Sequence, residues 1–514
     1  MYYFVPAWFK NPDRPFYNVA QPWYWESNRL EFDDAINQLK MFQQADQDVK
    51  LLNIGYMPSL RSFLHRQEID NLKYFSIFDE LQAINVTGMR RIALADLNFP
   101  AEVEFNYTPF KIFAFKASMK YAEIELGNLG EILKVTLYEN EALKKTYVFD
   151  DRGFLSSIMY YKNNAPVKQA YLNLNGEVRF SEDLVTKEIT VTPNFQAEFR
   201  QAHYQNIQAL VTERLLEFLK IVTPKDTFVL AAGGGRTKLT LELLTTPKIV
   251  LSYFSGRNKQ AETLPTEQLA KVDLVVADTK KTAELLKESY PAEKIKLVTP
   301  FDTRLRLGHS QRLAQVKLLF LVDQVTPKVF KAALEQLLTL VEQRKDLELE
   351  VGILRRNDYD LENLKEKILK KAPELQVLLP GELDEQGENE LEEMTYTGKV
   401  TLNYLDTENA LVKTMDQTRI LIDLGTPPNL YAQIAAISAG IPQITLAADP
   451  LVEHQKNGLQ LQNDVKKLTS AIAYYTDGLK HWNEAMTHAV AKIADLTGGK
   501  LVNQWEQWLK DTDK

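Results

Sequence analysis

Three regimes of hydrophobic patterning follow one another along this chain. Up to about residue 100, short apolar runs such as Leu51 to Ile54 and Ile92 to Ala95 read as buried strands. Between them, Ile36, Leu39 and Phe42 recur at helical spacing. From 101 to 197 the pattern becomes period-two, as in KIFAF, KYAEIELG, ILKVTLYE and KEITVTP. Gly127-Asn128, Asp151-Arg152-Gly153, Asn163-Asn164 and Asn175-Gly176 punctuate it, which predicts an antiparallel meander with tight turns. Helical spacing returns near Phe195. Strands and helices then alternate: strands at Phe228 to Ala232, Ile249 to Phe254, Leu274 to Ala277 and Ile295 to Val298, with a helix at Thr282 to Tyr290. A new strand-to-helix unit opens at Val316. Such alternation is the pattern of parallel sheets with helical crossovers.

Composition narrows the class. A chain of 514 residues is too long for one core and calls for two to four domains. Hydrophobic residues at 45% and charged residues at 25% are an ordinary soluble balance, and the net charge of -8 disfavours nucleic-acid binding. No run of about eighteen apolar residues offers a spanning helix, and the N-terminus lacks a basic-then-apolar leader. The absence of cysteine excludes disulfides, thiolate catalysis and cysteine-based zinc sites, and fits a cytoplasmic address. The histidines are scattered without H-E-x-x-H spacing, and there is no G-x-S-x-G elbow. Asp511-Thr512-Asp513, a D-x-D run, reads as an acidic tail. No metal or cofactor is expected.

The segment Ile420 to Pro442, ILIDLGTPPNLYAQIAAISAGIP, carries the most information. It resembles the donor-sugar loop of two-Rossmann (GT-B) glycosyltransferases, E-G-F-G-x-x-x-x-E-A-x-x-x-G-x-P. Aligning Gly440-Ile441-Pro442 puts the two glutamate positions at Pro427 and Ala435, neither of which can ionise. The run VDLVVADTKKTAELLKESYPAEKIKLVTPFDTRL from Val272 resembles the close of a first Rossmann domain in that class. VKLLFLVDQVTPK resembles the F-V-G-R-L-x-x-E-K segment that opens the second. Lys328 falls on the lysine position, but Asp323 falls on the arginine position, where a carboxylate repels a diphosphate. Asn457-Gly458 matches a later loop. Ordinary α/β punctuation and a solvated lysine are the plain readings of these features.

Other cleft candidates are Gly234 and Arg236, in a glycine loop between strand and helix, Arg257 after Ile249 to Phe254, and Asn429 in the donor loop. A tight turn is the plain reading of the glycines. The opening aromatics, Tyr2, Tyr3, Phe4, Trp8, Phe9, Trp23, Tyr24 and Trp25, read as packing or as a stacking surface. Leu501, Trp505, Trp508 and Leu509 share one helical stripe, suited to packing or to a membrane interface.

The resemblance implies an α/β, GT-B-like pair of Rossmann-type domains with an all-β extended sheet insertion in the first. The expected boundaries are 1–100 and 198–308 for the first, 101–197 for the insertion, 309–490 for the second, and 491–514 for a C-terminal helix crossing back. The insertion is similar to the extended sheet of glycosyltransferases that modify serine-rich repeat adhesins. MYYFVPAW, with FDDAINQLKMFQ at Phe32 to Gln43, narrows the resemblance to the first accessory secretory proteins of the accessory Sec system. That family implies a non-catalytic subunit working with the second and third accessory secretory proteins. It would hand a serine-rich repeat adhesin precursor to the accessory SecA motor, from the cytoplasm or from the inner face of the membrane. An active glycosyltransferase, and a peripheral membrane adaptor, stand as alternatives.

Overall fold

The computed structural model describes residues 1–8, 14–18, 33–69, 71–127, 129–233, 235–257, 266–302, 304–355, 359–380, 382, 398–494 and 499–511. Phe9, Trp23, Tyr24 and Trp25 of the aromatic opening, and the candidate Gly234, lie outside these residues.

Seven parallel strands build the first sheet, in the order Ile295–Leu297, Leu274–Ala277, Lys248–Tyr253, Thr227–Ala231, Tyr2–Val5, Val49–Asn53, Tyr74–Ser76. The central strands are apolar on both faces because helices cover both, so they read as unbroken hydrophobic runs. Sequence order reverses between Tyr2–Val5 and Thr227–Ala231, the kind of switch point at which open α/β sheets bind ligands. Helix Asp34–Gln44 starts at Asp33, whose carboxylate accepts from the Ile36 amide at 2.9 Å.

The meander is real and longer than expected. Ten antiparallel strands pair strictly in sequence order, from Val103–Tyr107 to His203–Tyr204. The sheet therefore continues past residue 197, and helix Ile207–Leu219 follows only after its last strand. Asn163 and Asn164 both take positive φ, 52° and 60°, as a two-residue hairpin turn requires. Ile92 to Ala95 is not a strand. Leu94–Leu97 forms a short 3₁₀ turn, and Ile92, Leu94, Leu97 and Phe99 lie against Ala114, Ala122, Ile124 and Val135 of the meander. The apolar run exists to cover one face of that sheet.

The meander joins the first lobe through a shared apolar core, in which Tyr171, Phe180 and Ile189 cluster with Tyr56, Phe78 and Leu81, and through buried charges. Arg61 donates to Asp150 at 2.8 Å and to Asp151 at 2.6 Å. Arg152 reaches Asp79 at 2.7 Å and Asp150 at 2.7 Å. Burial works to raise the Asp150 carboxyl, but Arg61 and Arg152 outweigh it and hold it below its usual range. Gln82 donates to the carbonyls of Ser156 (2.8 Å) and Leu172 (2.6 Å), and Tyr56 bonds Ser156 and Ser157, both at 2.9 Å.

A second sheet of seven parallel strands follows: Leu375–Leu378, Gly398–Tyr404, Leu347–Ile353, Val316–Leu321, Thr418–Asp423, Gln443–Thr445, Gly458–Gln460. Its order reverses between Val316–Leu321 and Thr418–Asp423. The chain ends in helix Gly499–Asp511, which returns to the first lobe. Leu501, Val502, Trp505 and Leu509 are buried there, with the Trp505 ring 5.1 Å from that of Phe42. The apolar stripe is thus covered by protein. Among the described residues, no helix is long and apolar enough to cross a membrane.

Candidate functional site

The C-terminal ends of the two sheets meet. The loop after Lys248–Tyr253 touches the first turn of helix Leu430–Ala439, so closely that a Cβ on Gly256 would lie 2.6 Å from Leu430 Cδ2.

In the second-lobe crevice, Asp323 follows strand Val316–Leu321 and Asp423 ends strand Thr418–Asp423. Asp323 Oδ2 accepts from the Leu354 amide at 2.8 Å, while Oδ1 is buried and without a hydrogen-bond partner among the described residues. Asp423 is 2% exposed and accepts from the amides of Gly425 (3.0 Å) and Asn429 (2.6 Å). Burial pushes the Asp423 carboxyl up to about 6, and the charges of Asp323 and Asp449 push the same way; burial also raises Asp323. The loop closes over them, with the Thr426 amide bonded to the Gln324 carbonyl at 3.2 Å.

The sequence candidates fall as follows. Pro427 is exposed on that loop. Ala435 is 0% exposed and packed with Leu319, Leu321, Leu421 and Trp482. Lys328 is exposed on the first turn of helix Pro327–Gln343. Asn429 is the N-cap of helix Leu430–Ala439; its Oδ1 accepts from the Ala432 amide at 2.8 Å. Asn457 is buried, accepting from the Glu453 amide at 2.8 Å and donating to the Leu451 carbonyl at 2.9 Å.

In the first lobe, helix Gly235–Leu243 starts earlier than the glycine run suggests, so Arg236 sits within its first turn. It is buried, its guanidinium 4.7 Å above the Phe16 ring. Arg257 turns inward, to Asp34 at 2.6 and 3.1 Å and to the carbonyls of Ala232 (2.6 Å) and Ser252 (3.0 Å). Arg236 is 4% exposed, and the Arg257 side chain 19%. Nearby, a cavity of about 20 Å³ is lined by Asp34, Gln38, Ser252, Asp278 and Pro300 among others, room for about one water.

Sequence reasoning missed the charged cluster that fastens the linker to the second lobe. Asp302 and Arg304 follow Pro300 in the linker. Arg304 donates to Asp302 at 2.5 Å, to Tyr431 Oη at 2.5 Å and to Glu408 at 3.1 Å, and Tyr431 donates to Asp302 at 2.7 Å. Burial raises Glu408, whereas at Asp302 the nearby Arg304 outweighs burial and lowers it. No local motif signals this cluster, because its members come from three separate segments. Among the described residues, no group of three or more histidine or acidic side chains could hold a metal ion.

This architecture is that of the GT-B glycosyltransferases. The pneumococcal O-GlcNAc transferase GtfA superposes with a TM-score of 0.62 at 12% identity over 99% of this chain and 98% of its own, a likeness of fold alone. The sequence matches the family of accessory Sec system proteins called accessory secretory protein 1 over residues 1–512. The curated member from Streptococcus gordonii is 37% identical over 526 residues, 99% of each chain. A chain in the crystal structure of accessory secretory proteins 1, 2 and 3 of Streptococcus pneumoniae superposes with a TM-score of 0.86 at 33% identity, covering 100% of this chain and 99% of that one. The chain belongs to the accessory secretory protein 1 family of the accessory Sec system.

Proposed function

We propose that this chain is a non-catalytic subunit of the accessory Sec export machinery. It binds and scaffolds serine-rich repeat adhesin precursors for translocation by the accessory SecA motor, together with the second and third accessory secretory proteins. The pneumococcal relative was crystallised with proteins 2 and 3, which supports the partnership. Family membership supports the role in export.

One observation carries the non-catalytic reading. At the second sheet's switch point stands Asp323, a carboxyl where a sugar nucleotide would need positive charge for its diphosphate, with the buried Asp423 beside it. At the two aligned glutamate positions stand an exposed proline and a fully buried alanine. A crevice can keep its shape after losing the groups that stabilise a transition state, and binding then outlasts catalysis. Work in the cytoplasm, including at the inner face of the membrane, is part of this proposal.

Binding calorimetry with a panel of sugar nucleotides tests it, alongside transfer assays on a serine-rich acceptor peptide. The expected result is no saturable heat and no transfer. Micromolar donor binding, or sugar appearing on the acceptor, would restore the glycosyltransferase alternative.

A further inference from the structure

Enzymes that work between two domains commonly open and close around the crevice, by a few linker residues that change φ and ψ. In this chain the linker is not free to do so. The Asp302 amide donates to Ser438 Oγ at 2.7 Å, and the Gly308 amide donates to the Ala439 carbonyl at 2.8 Å. Both acceptors lie on helix Leu430–Ala439 of the second lobe. Between these two points Arg304 holds Asp302, Tyr431 and Glu408 at once.

Apolar packing continues across the same boundary. Ile434 and Ile437 are 0% exposed and belong to one cluster with Phe254, Val298 and Phe301 of the first lobe. Gly256 lets Leu430 approach to a distance that no side chain would allow. The chain's second crossing is also pinned, since the returning helix buries Trp505 against Phe42.

We infer that the two lobes are locked as one fixed body by the apolar seam, with the linker fastened to the second lobe by the buried Arg304 clamp. This deepens the non-catalytic reading and rests on it only for the absence of donor-driven motion. A subunit locked in this way presents partners with a surface of constant shape.

The cysteine-free sequence makes the test direct, because any introduced cysteine is unique. Leu285 on the first lobe and Leu479 on the second are 47% and 50% exposed. Spin labels on the full-length Leu285→Cys/Leu479→Cys protein, read by pulsed electron paramagnetic resonance, report the interlobe distance. One narrow distribution is expected, unmoved by millimolar uridine diphosphate sugars. Two populations, or a shift on adding nucleotide, would overturn the inference. Arg304→Ala, and the wedge Gly256→Leu, are each expected to broaden the distribution, with circular dichroism showing that the chain is still folded. If neither variant broadens it, the joint is not what fixes the lobes and the inference fails. Motion without donor binding sinks the lock and spares the non-catalytic reading. Donor binding without motion does the reverse.

Discussion

The first lobe is joined to its two neighbours by different chemistry. Its joint to the meander adds buried ion pairs, among Arg61, Asp79, Asp150, Asp151 and Arg152, to an apolar core shared by Tyr171, Phe180 and Ile189 with Tyr56, Phe78 and Leu81. Its joint to the second lobe is mainly apolar, through Phe254, Ile434, Ile437 and Trp505, with one arginine clamp beside it. Buried ions fix direction and register but penalise any lost partner, because the survivor stays charged and desolvated. An apolar seam has no such directionality, so it loses stability in proportion to the volume removed. The meander joint therefore carries a sensitivity to single charge deletions that the seam with the second lobe, which yields gradually, lacks.

The largest effect should come from Asp150→Ala, which leaves Arg61 and Arg152 each without a main partner. Loss of about 3–5 kcal/mol is expected, read as a lowered melting temperature. A change below about 1 kcal/mol would mean that this joint is solvated and that the contrast is false. Next, Ile437→Ala should cost roughly 2–4 kcal/mol in denaturant titration, and Ile437→Val much less. Equal losses in the two variants would show that the seam is not volume-governed.

A pH experiment sharpens the account of the second lobe. Asp423 is raised from an ordinary 3.8 to about 6 by burial, so the folded state favours its neutral form. Its contribution is complete below the unfolded value and is lost as pH rises through about 6. That contribution should therefore fall between about pH 4 and 6, by on the order of 1–3 kcal/mol. Asp33 and Asp151 are also raised to about 6, so the diagnostic quantity is the difference from Asp423→Asn. A variant with an unchanged pH slope would remove Asp423 from the explanation. The smallest effect belongs to Lys328→Ala: on an exposed helix turn it should stay within about 0.5 kcal/mol of wild type and leave calorimetric traces with sugar nucleotides flat.

Much of the fold was legible because its signals are local. The period-two runs between 101 and 197 became antiparallel strands, and the unbroken apolar runs at 228–232, 249–254 and 274–277 became central parallel strands. Asn429 and Gly440, at the two ends of the Ala-rich segment, became its N-cap and its left-handed C-cap. Ile92 to Ala95 misled because a short apolar run looks alike whether it joins a sheet or lies across one. The candidate site was legible only in outline. The donor-site positions proposed for Asp323 and Ala435 rest on spacing, and nothing near Arg257 announces that Asp34, more than two hundred residues away, captures its guanidinium.

By itself, then, the sequence determined most of the elements and their order, and that the side chains at 427 and 435 cannot ionise, since those depend on neighbours along the chain and on side-chain identity. Only the tertiary structure decided that Arg236 and Arg257 face inward, that Asp423 sits beside Asp323, and that Arg304 bridges the linker to Glu408 and Tyr431. Those outcomes rest on burial and on partners brought together from distant segments, and electrostatics inside a protein is set by three-dimensional neighbours rather than by sequence ones.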